Sequence, residues 1–314
     1  MRVLVTGADG FVGRHAVSEL EKHGHHVHAV DRSIPGNPDK RTDWHTCDIR
    51  DTKTLVGLVQ SILPEACLHL AGFSHVPTGW TAPQHMYEVN VMGTLNLLDA
   101  FLQLDAQVRL LVVSTAQIYG TGACPAAITE EHAFNPCSLY AVSKAAADMT
   151  TLLYARHHGM HAMTVRPNNH IGPGQADSFV VPSFAAQVSA IAAGAKPIIR
   201  VGNLESKRDF TDVRDVARAY RLLLEKGKSG CAYNLGSDQL VSIRTVLEGF
   251  CHKAGIHPDI VEDKTLYRPT DNSPLLDTRR IRSHTGWAPE IDLATTLSDI
   301  LAQHTASVGS LPRP

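Results

Sequence analysis

The sequence predicts an α/β protein with a doubly wound parallel sheet and a smaller, interleaved α/β region. Short β-branched runs alternate with helical stretches through the first half of the chain, the order that βαβ units produce. The run Leu110–Val113 is apolar at every position, as expected for a central strand buried on both faces. A glycine-rich turn, Gly7–Gly13, joins the first strand to the first helix.

The individual elements follow from hydrophobic period and turn residues. In the first half, the predicted strands and helices are, in order, Val3–Thr6, Phe11–His23, Val27–Val30, Cys67–Leu70, Met86–Leu104, Arg109–Ser114, Leu139–His157 and Ala162–Arg166. A loop rich in Asn, Gly and Pro then runs from Asn168 to about Gln175. Beyond it, the sequence predicts helices at Phe184–Ala193, Val213–Glu225, Ile243–Ala254 and Leu293–Gln303, with strands near Ile198–Val201 and Tyr233–Leu235.

These elements suggest two functional regions. We expect a dinucleotide-binding domain at 1–167 that also receives about 211–236, a mostly substrate-binding region at 168–305, and a tail at 306–314.

With 314 residues, 43% of them hydrophobic, the chain can bury a substantial core. The charged fraction of 19% and the net charge of −2 provide no broad basic surface, so neither nucleic acid nor an anionic membrane is expected as a partner.

The distribution of cysteines and histidines limits other classes. The 6 cysteines are scattered without a Cys-x-x-Cys pair, which favours reduced thiols and a cytoplasmic location. The chain enters a strand at once and contains no long apolar run, so neither a signal peptide nor a membrane helix is expected. Although the chain has 18 histidines, it lacks His-Glu-x-x-His spacing, and we expect no catalytic metal.

The glycine turn indicates a dinucleotide site. Gly7, Gly10 and Gly13 recur every third residue between a strand and a helix, and Phe11 and Val12 begin that helix. Such glycines permit a tight turn and close approach of the backbone to a pyrophosphate, which the helix N-terminus attracts. Glycines also serve ordinary turns, so the turn needs a second observation to support a cofactor site.

Asp31 supplies that second observation. It ends the second predicted strand, near the distance of about 20 residues at which a carboxylate binds the adenosine ribose hydroxyls, although a turn role would also suit it. A carboxylate there favours NAD(H), whereas the neighbouring Arg32 could pair with a 2′-phosphate and permit NADP(H). Asp48 and Ile49 follow the third strand, either near the adenine or in a simple turn.

Tyr140 and Lys144 are the predicted catalytic pair. Four residues apart on a helix, they lie on one face, where the ammonium would lower the pKa of the phenol. Ser114 and Thr115 end a strand, and we select Thr115 as the hydroxyl that binds the reacting carbonyl oxygen. Asn90, inside a predicted helix, marks either a kink that lines the site or a solvated face.

Several motifs together resemble the extended short-chain dehydrogenase/reductases: Gly7–Gly13, Asp31, His69–Gly72, Asn90–Thr94, Ser114-Thr115, Tyr119-Gly120 and Tyr140–Lys144. Two longer segments, Asn169–Gln175 and Val201–Val216, look like the GDP-mannose-derived branch of that superfamily. The resemblance implies a Rossmann fold and places Leu70, Ala71, Gly72 and Asn90 beside the cofactor.

The resemblance also implies a reaction. A nicotinamide hydride would reach C4 of a GDP-linked 4-keto-6-deoxy sugar to give GDP-D-rhamnose, while Tyr140 donates a proton, Lys144 holds the nicotinamide ribose and Thr115 steadies the keto oxygen. Related dehydratases carry an acidic residue where this chain has Gln117. A carboxamide does not titrate in the useful range, so reduction and C4 epimerisation remain open while dehydration is disfavoured.

Candidate substrate residues lie mostly in loops. Arg208 and Arg268 would meet the diphosphate, because a nearly neutral protein needs placed cations to hold one. We expect the amides of Asn169 and Gln175 to bind sugar or phosphate, and Ser74 and His75 to line the sugar pocket. Val180 and Lys196 are expected to border the nucleotide. Each of these six residues could instead have a purely structural role in its loop. A guanine preference is implied by the resemblance alone.

Two alternatives share the same motifs. The first is a C4 epimerase with bound NAD+, or a 4-reductase giving the talose epimer, acting on a GDP- or UDP-hexose. The second is a non-catalytic dinucleotide-binding module. The resemblance also implies a homodimer formed by the helices Met86–Leu104 and Leu139–His157.

Overall fold

The structure is a computed structural model that describes residues 1–36, 39, 41–73, 78–104, 107–121, 126–266 and 272–309. The first half contains, in order, β1 (Arg2–Thr6), α1 (Phe11–Lys22), β2 (His26–Asp31), β3 (Asp43–Thr46), α2 (Thr52–Ile62), β4 (Ala66–His69), α3 (Thr78–Thr81), α4 (Pro83–Tyr87), a π-helical turn (Glu88–Met92), α5 (Gly93–Leu102), β5 (Arg109–Val113), a 3-10 turn (Ala116–Tyr119), α6 (Leu139–His158) and β6 (Ala162–Pro167).

The second half mixes small sheets with helices. It contains β7 (Asn169–Ile171), α7 (Val180–Ala192), β8 (Ile198–Val201), β9 (Lys207–Arg208), β10 (Phe210–Asp212), α8 (Val213–Lys226), β11 (Ala232–Leu235), β12 (Val241–Ser242), α9 (Ile243–Ala254), β13 (Asp259–Glu262), a 3-10 turn (Lys264–Leu266), α10 (Arg279–Thr285) and α11 (Leu293–Gly309). Among the described helices, none is long and apolar enough to cross a membrane.

The central sheet confirms the predicted fold class. Its seven strands lie in the order β11-β6-β5-β4-β1-β2-β3, and every neighbouring pair is parallel. Val3 and Val5 pack into a core with α1 and α8, whereas Leu4 faces a core with α2 and α5. The sheet is therefore covered on both faces, and the carboxyl ends of its strands meet at one edge.

The predicted helix Met86–Leu104 is present as an unbroken helical run over 83–102, but it contains a π-helical turn. That turn joins α4 to α5 and places Asn90 at a buried position. Single π turns inside helices are often found at functional sites. The sequence showed a polar residue in the helix, but the extra residue in the turn has no simple signal in the hydrophobic period.

Beyond β6, the chain contributes to two cores. β11 pairs with β6, and α8 packs on α1 beside the main sheet. The helices α7, α9 and α11 instead surround a separate core. It includes Ile199 from β8, and Val246 and Phe250 from α9. β7 follows β6 directly in the chain and pairs with β10, which leads into α8, so these two short strands link the two parts of the fold.

Local sequence explains where the main helices start and stop. Asp51, Ser138 and Ser242 accept hydrogen bonds from backbone N–H groups in the first turns of α2, α6 and α9. Gly159, with φ at +67°, ends α6 in the left-handed conformation that glycine adopts readily. Capping fixes the first turn of α6, which carries Tyr140.

Candidate active site

A cleft of about 640 Å³ lies along the carboxyl edge of the main sheet. It extends from the ends of β2 and β3, past the glycine turn, to the loops that follow β5 and β6. This edge is where open α/β sheets generally bind their ligands, at the point where the strand order reverses. The lining residues therefore identify the candidate site.

The glycine turn is packed too tightly for side chains. Gly7 has φ at +70°, and a Cβ there would lie 2.7 Å from the Ala71 nitrogen. A Cβ at Gly13 would lie 2.3 Å from the Gly7 carbonyl oxygen. Gly10, Phe11 and Val12 also line the cleft. The turn and the first turn of α1 thus form a cradle of bare backbone, which fits a bound pyrophosphate.

Asp31 stands at the end of β2, where the sequence predicted it. Its two carboxylate oxygens accept hydrogen bonds from the backbone nitrogens of Asp9, at 3.1 Å, and Arg32, at 2.8 Å. Arg32, Asp48 and Ile49 line the same end of the cleft. All four predicted adenosine-side residues are therefore brought together.

Sequence reasoning missed Arg50 and Ser33 at this end of the cleft. Arg50 pairs with Asp48 at 2.7 Å, and this guanidinium lowers the pKa of the Asp48 carboxyl. Arg50 is thus a second cation beside Arg32. Its position two residues after Asp48 could have drawn attention, but only the fold shows that both side chains face the cleft.

Thr115 and Tyr140 meet in the middle of the cleft. The Thr115 side chain hydrogen-bonds the Tyr140 phenol, and this contact lowers the pKa of Tyr140, although burial has the larger effect and raises it to about 12. Ser114 is directed elsewhere, since its hydroxyl donates to the Lys144 carbonyl oxygen at 3.5 Å. This arrangement supports the choice of Thr115 over Ser114.

Lys144 lies one turn along α6 from Tyr140 and is only 9% exposed. Burial lowers the pKa of its ammonium to about 8, and the nearby Asp148 carboxylate opposes that shift. The sequence predicted that Lys144 would lower the pKa of Tyr140. In the structure that prediction fails: desolvation raises the phenol pKa, and the contact that opposes this effect comes from Thr115.

Asn90 lies behind the cleft wall rather than in it. The residue is 2% exposed and is not among the residues that line the cleft. Its Oδ1 accepts from the Phe73 nitrogen at 2.6 Å, while its Nδ2 donates to the Phe73 carbonyl and to Ser143 Oγ, at 2.9 Å. Asn90 therefore ties the loop after β4 to helix α6. The sequence predicted that Asn90 would contact the cofactor directly. In the structure, Asn90 instead positions the residues of the cleft wall.

A buried histidine continues the same network. His69 at the end of β4 lies 2.7 Å from Thr6 Oγ1 and 3.1 Å from Thr94 Oγ1. Burial lowers the pKa of His69 to about 3, so its ring is neutral at physiological pH. Thr6 Oγ1 also accepts from the Ala71 nitrogen. The loop Leu70–Gly72, which lines the cleft, is thus held from both sides.

Gln117, Asn169, Gln175 and Arg208 line the other end of the cleft, as predicted. Ser273 donates a hydrogen bond to Asn169 Oδ1 at 2.9 Å, and Gln175 Nε2 donates to the His170 carbonyl. Within the described residues, Gln175 Oε1 is buried without a hydrogen-bond partner. In the part of the chain that the structure describes, this end therefore carries amides and the Arg208 guanidinium.

The remaining predicted substrate residues differ in position. Val180 borders a small cavity of about 50 Å³ next to the main cleft. Lys196 is exposed in the loop between α7 and β8 and is not among the residues that line the cleft, so the structure does not bring it to the site. Ser74, His75 and Arg268 lie outside the described residues. Asn272, Ser273 and Pro274, which sequence reasoning missed, line the cleft instead.

The fold and the site define a dinucleotide-binding oxidoreductase of the extended short-chain dehydrogenase/reductase type. Residues 4–300 match the model of the family described as GDP-mannose 4,6 dehydratase. The chain belongs to that family, which confirms the resemblance predicted from its motifs.

Individual relatives cover nearly the whole chain. A GDP-6-deoxy-D-mannose reductase of Pseudomonas aeruginosa is 35% identical over 310 residues, with 98% of each chain covered. A GDP-mannose 4,6-dehydratase of Yersinia enterocolitica is 26% identical, covering 96% of this chain and 93% of its own.

Solved structures agree with this assignment. The structure of RMD from Pseudomonas aeruginosa with NADPH has a TM-score of 0.86 and 34% identity, covering 98% of this chain and 99% of that one. UDP-glucose 4-epimerase of Thermus thermophilus with NAD has a TM-score of 0.87 and 28% identity, covering 99% and 100%. A nicotinamide dinucleotide is therefore the cofactor of this chain's structural class.

Proposed function

We propose that this protein reduces the C4 keto group of GDP-4-dehydro-6-deoxy-D-mannose to GDP-D-rhamnose, using NADH or NADPH. The observation that carries the proposal is the placement of Tyr140, Thr115 and Gln117 together in the cleft, a proton donor without a neighbouring carboxylate base among the described residues. The reductase from Pseudomonas aeruginosa, at 35% identity, supports the same reaction.

The cofactor would lie along the glycine turn. Gly7, Gly10 and Gly13 form the backbone cradle for its pyrophosphate, and Asp31 would bind the adenosine ribose. When bound, the reduced nicotinamide supplies the hydride. Asp31 favours NAD(H), while Arg32 and Arg50 beside it would tolerate a 2′-phosphate.

Tyr140 supplies the proton to the carbonyl oxygen. Because burial keeps the pKa of the phenol high, at about 12, the phenol is protonated at neutral pH and is ready to act as an acid. Thr115 holds the phenol and would share its hydrogen bond with the same carbonyl oxygen. Lys144 is charged below its pKa of about 8 and lines the cleft beside Tyr140, so its ammonium would hold the nicotinamide ribose.

Dehydration would need a further acid/base group near the sugar. The carboxylates that line the cleft in the described residues are Asp9, Asp31 and Asp48, at the glycine turn and at the ends of β2 and β3. At the position after Ala116, the site has only the Gln117 carboxamide, which neither accepts nor returns a proton. The arrangement therefore supports reduction over dehydration.

The nucleotide-sugar diphosphate would occupy the end of the cleft formed by the second half of the chain. Arg208 would provide the cation, and the amides of Asn169 and Gln175 would provide neutral hydrogen bonds. In this proposal, residues 1–167, with about 211–236, bind the cofactor, and residues 168–305 mostly bind the substrate. The guanine base is part of the proposal through the reductase relative.

A homodimer is proposed from the outer face of α6. Val142, Met149 and Leu153 are 37%, 60% and 54% exposed, and Met92, just before α5, is 48% exposed. Their spacing along α6 places the first three apolar side chains on one stripe. Burial against a second copy would remove this surface from water.

A cytoplasmic location fits the described cysteines, which are free thiols.

The test is a turnover experiment with GDP-4-dehydro-6-deoxy-D-mannose and each reduced cofactor. We expect one reduced cofactor consumed for each sugar converted, and NMR of the product to give the D-rhamno configuration. The talo configuration would correct the stereochemistry. Isomerisation of a GDP- or UDP-hexose without net cofactor loss would replace reduction by C4 epimerisation.

Tyr140→Phe serves as the catalytic control. It removes the acidic hydroxyl but keeps the ring, so we expect cofactor affinity within about twofold of wild type and turnover reduced at least about a hundredfold, the scale of general acid catalysis. Equal turnover in this variant would contradict the assignment of Tyr140. Cofactor binding without turnover in the wild type, with any of these sugars, would favour the non-catalytic module.

A further inference from the structure

Three side chains at the outer edge of the main sheet form a cluster away from the cleft. His26 and His28 lie two residues apart on β2, and Asp43 opens β3 directly opposite His28. Residues two apart on a strand point to the same face. Their ligand atoms, one from each residue, all lie within 4.8 Å of one another. Two imidazole nitrogens and a carboxylate oxygen are a donor set that zinc prefers.

The separations fit a single ion. Asp43 Oδ2 is 2.8 Å from His26 Nε2 and 3.8 Å from His28 Nδ1. Around a tetrahedral zinc, with bonds of about 2.0–2.2 Å, ligand atoms are about 3.3–3.6 Å apart. Rotation of the His26 and Asp43 side chains would therefore be enough to bring the three ligand atoms to these distances. The side chains of His26 and Asp43 are 54% and 52% exposed, so they are free to rotate and an ion can reach them.

A fourth donor lies next to the three. His45, two residues after Asp43 on β3, has Nε2 only 3.2 Å from His28 Nδ1. The rings of His26, His28 and His45 are adjacent, with centroids 4.7 Å and 5.4 Å apart. His28 Nδ1 thus lies near both His45 Nε2 and Asp43 Oδ2, so one ion at this point would be within reach of both histidine rings and the carboxylate.

We infer that His26, His28 and Asp43 bind one divalent transition metal ion, zinc by preference, with His45 or water as the fourth ligand. Within the described part of the main sheet, β3 is an edge strand and pairs with β2. The metal site would link these two strands. Its role is structural, because His28 lies three residues before Asp31 on β2, about 10 Å along the strand from the cofactor end. Arg2, which is paired with His26 on the adjacent strand β1, is a cation whose charge acts on His28.

The inference is tested by titrating untagged, chelator-treated protein with Zn²⁺ in a calorimeter. We expect one equivalent bound per chain and a melting temperature that rises with Zn²⁺ concentration, as for any ligand specific to the folded state. Co²⁺ in place of Zn²⁺ should give the visible absorption of a four-coordinate site with nitrogen ligands. These measurements do not depend on turnover, so they are separate from the test of the reductase proposal.

Exposed ligands provide variants that should fold normally. His26→Gln and Asp43→Asn should each weaken Zn²⁺ binding at least about tenfold and remove the rise in melting temperature. The double variant His157→Gln/His158→Gln, at the exposed end of α6, is the matched control and should bind as the wild type does. The inference is overturned if Zn²⁺ does not saturate at one equivalent, or if the control weakens binding as much as the two ligand variants.

Discussion

Replacing Gly13 with alanine tests the cofactor cradle most directly. The added Cβ would lie 2.3 Å from the Gly7 carbonyl oxygen and 2.6 Å from that of Ala8. Ordinary van der Waals contact begins at 3.4 Å, so helix α1 and the turn must separate by about 1 Å. Such overpacking costs about 1–3 kcal/mol, because both opposing groups are backbone and neither can rotate away.

The same displacement opens the backbone that would bind the pyrophosphate. We therefore expect Gly13→Ala to lower the free energy of unfolding by about 1–3 kcal/mol in urea, and to weaken NADH or NADPH binding at least about tenfold in a fluorescence titration. A variant with wild-type stability and cofactor affinity within about twofold would refute the reasoning, since the cradle would then not be packed as the structure shows.

Gly57 provides a matched control for this substitution. It lies on the exposed face of α2, and a Cβ there meets nothing within 4 Å. Gly57→Ala should raise the free energy of unfolding by about 0.5–1 kcal/mol, because alanine loses less conformational entropy in a helix. Cofactor affinity should not change.

Other predictions follow from buried charges and hydrogen bonds. Arg166→Met should lower the free energy of unfolding by about 3–5 kcal/mol in urea, because it leaves the Asp148 carboxylate, 0% exposed and paired at 2.8 Å, without its partner. In the reductase assay, kcat/KM should fall as pH rises above about 8, because Lys144 then loses its charge while Tyr140 stays protonated. Asn90→Ala should cost about 1–3 kcal/mol of unfolding free energy and weaken cofactor binding, because the Phe73 backbone loses its anchor.

Each of these predictions has its own control. For Arg166→Met the control is Arg244→Met, whose pair with Glu205 is exposed, so the free energy of unfolding should stay close to that of the wild type. A kcat/KM that stays constant from pH 7 to pH 10 would contradict the role of Lys144. For Asn90→Ala, full cofactor affinity at reduced stability would limit Asn90 to a structural role.

Much of the candidate site was predictable because its signals are local. The glycines of the turn, the carboxylate at the end of β2 and the pair Tyr140 and Lys144 are each separated by a few residues or by one strand–helix unit. Secondary structure alone brings them to the carboxyl edge of a parallel sheet. The same logic found Thr115, because it ends a strand.

The wrong predictions concern residues whose surroundings are set by contacts with residues distant in the sequence. Asn90 was predicted to line the site, but the π-helical turn directs it toward Phe73 and Ser143, residues far from it in sequence. The pKa of Tyr140 was predicted from the spacing to Lys144 alone, whereas burial has the larger effect. Lys196 was predicted near the nucleotide, but the loop after α7 carries it away from the cleft.

The sequence by itself thus determined the fold class, the glycine turn between β1 and α1, and the placement of Tyr140 and Lys144 on one helical face, because periodicity and short spacings specify strands, helices and what shares a helical face. Only the tertiary structure decided what is buried and which distant residues meet. The ion pair of Arg166 with Asp148 and the cluster of His26, His28 and Asp43 depend on strand register and helix packing. Desolvation and pairing across the sheet are properties of the packed molecule, so no local pattern in the chain encodes them.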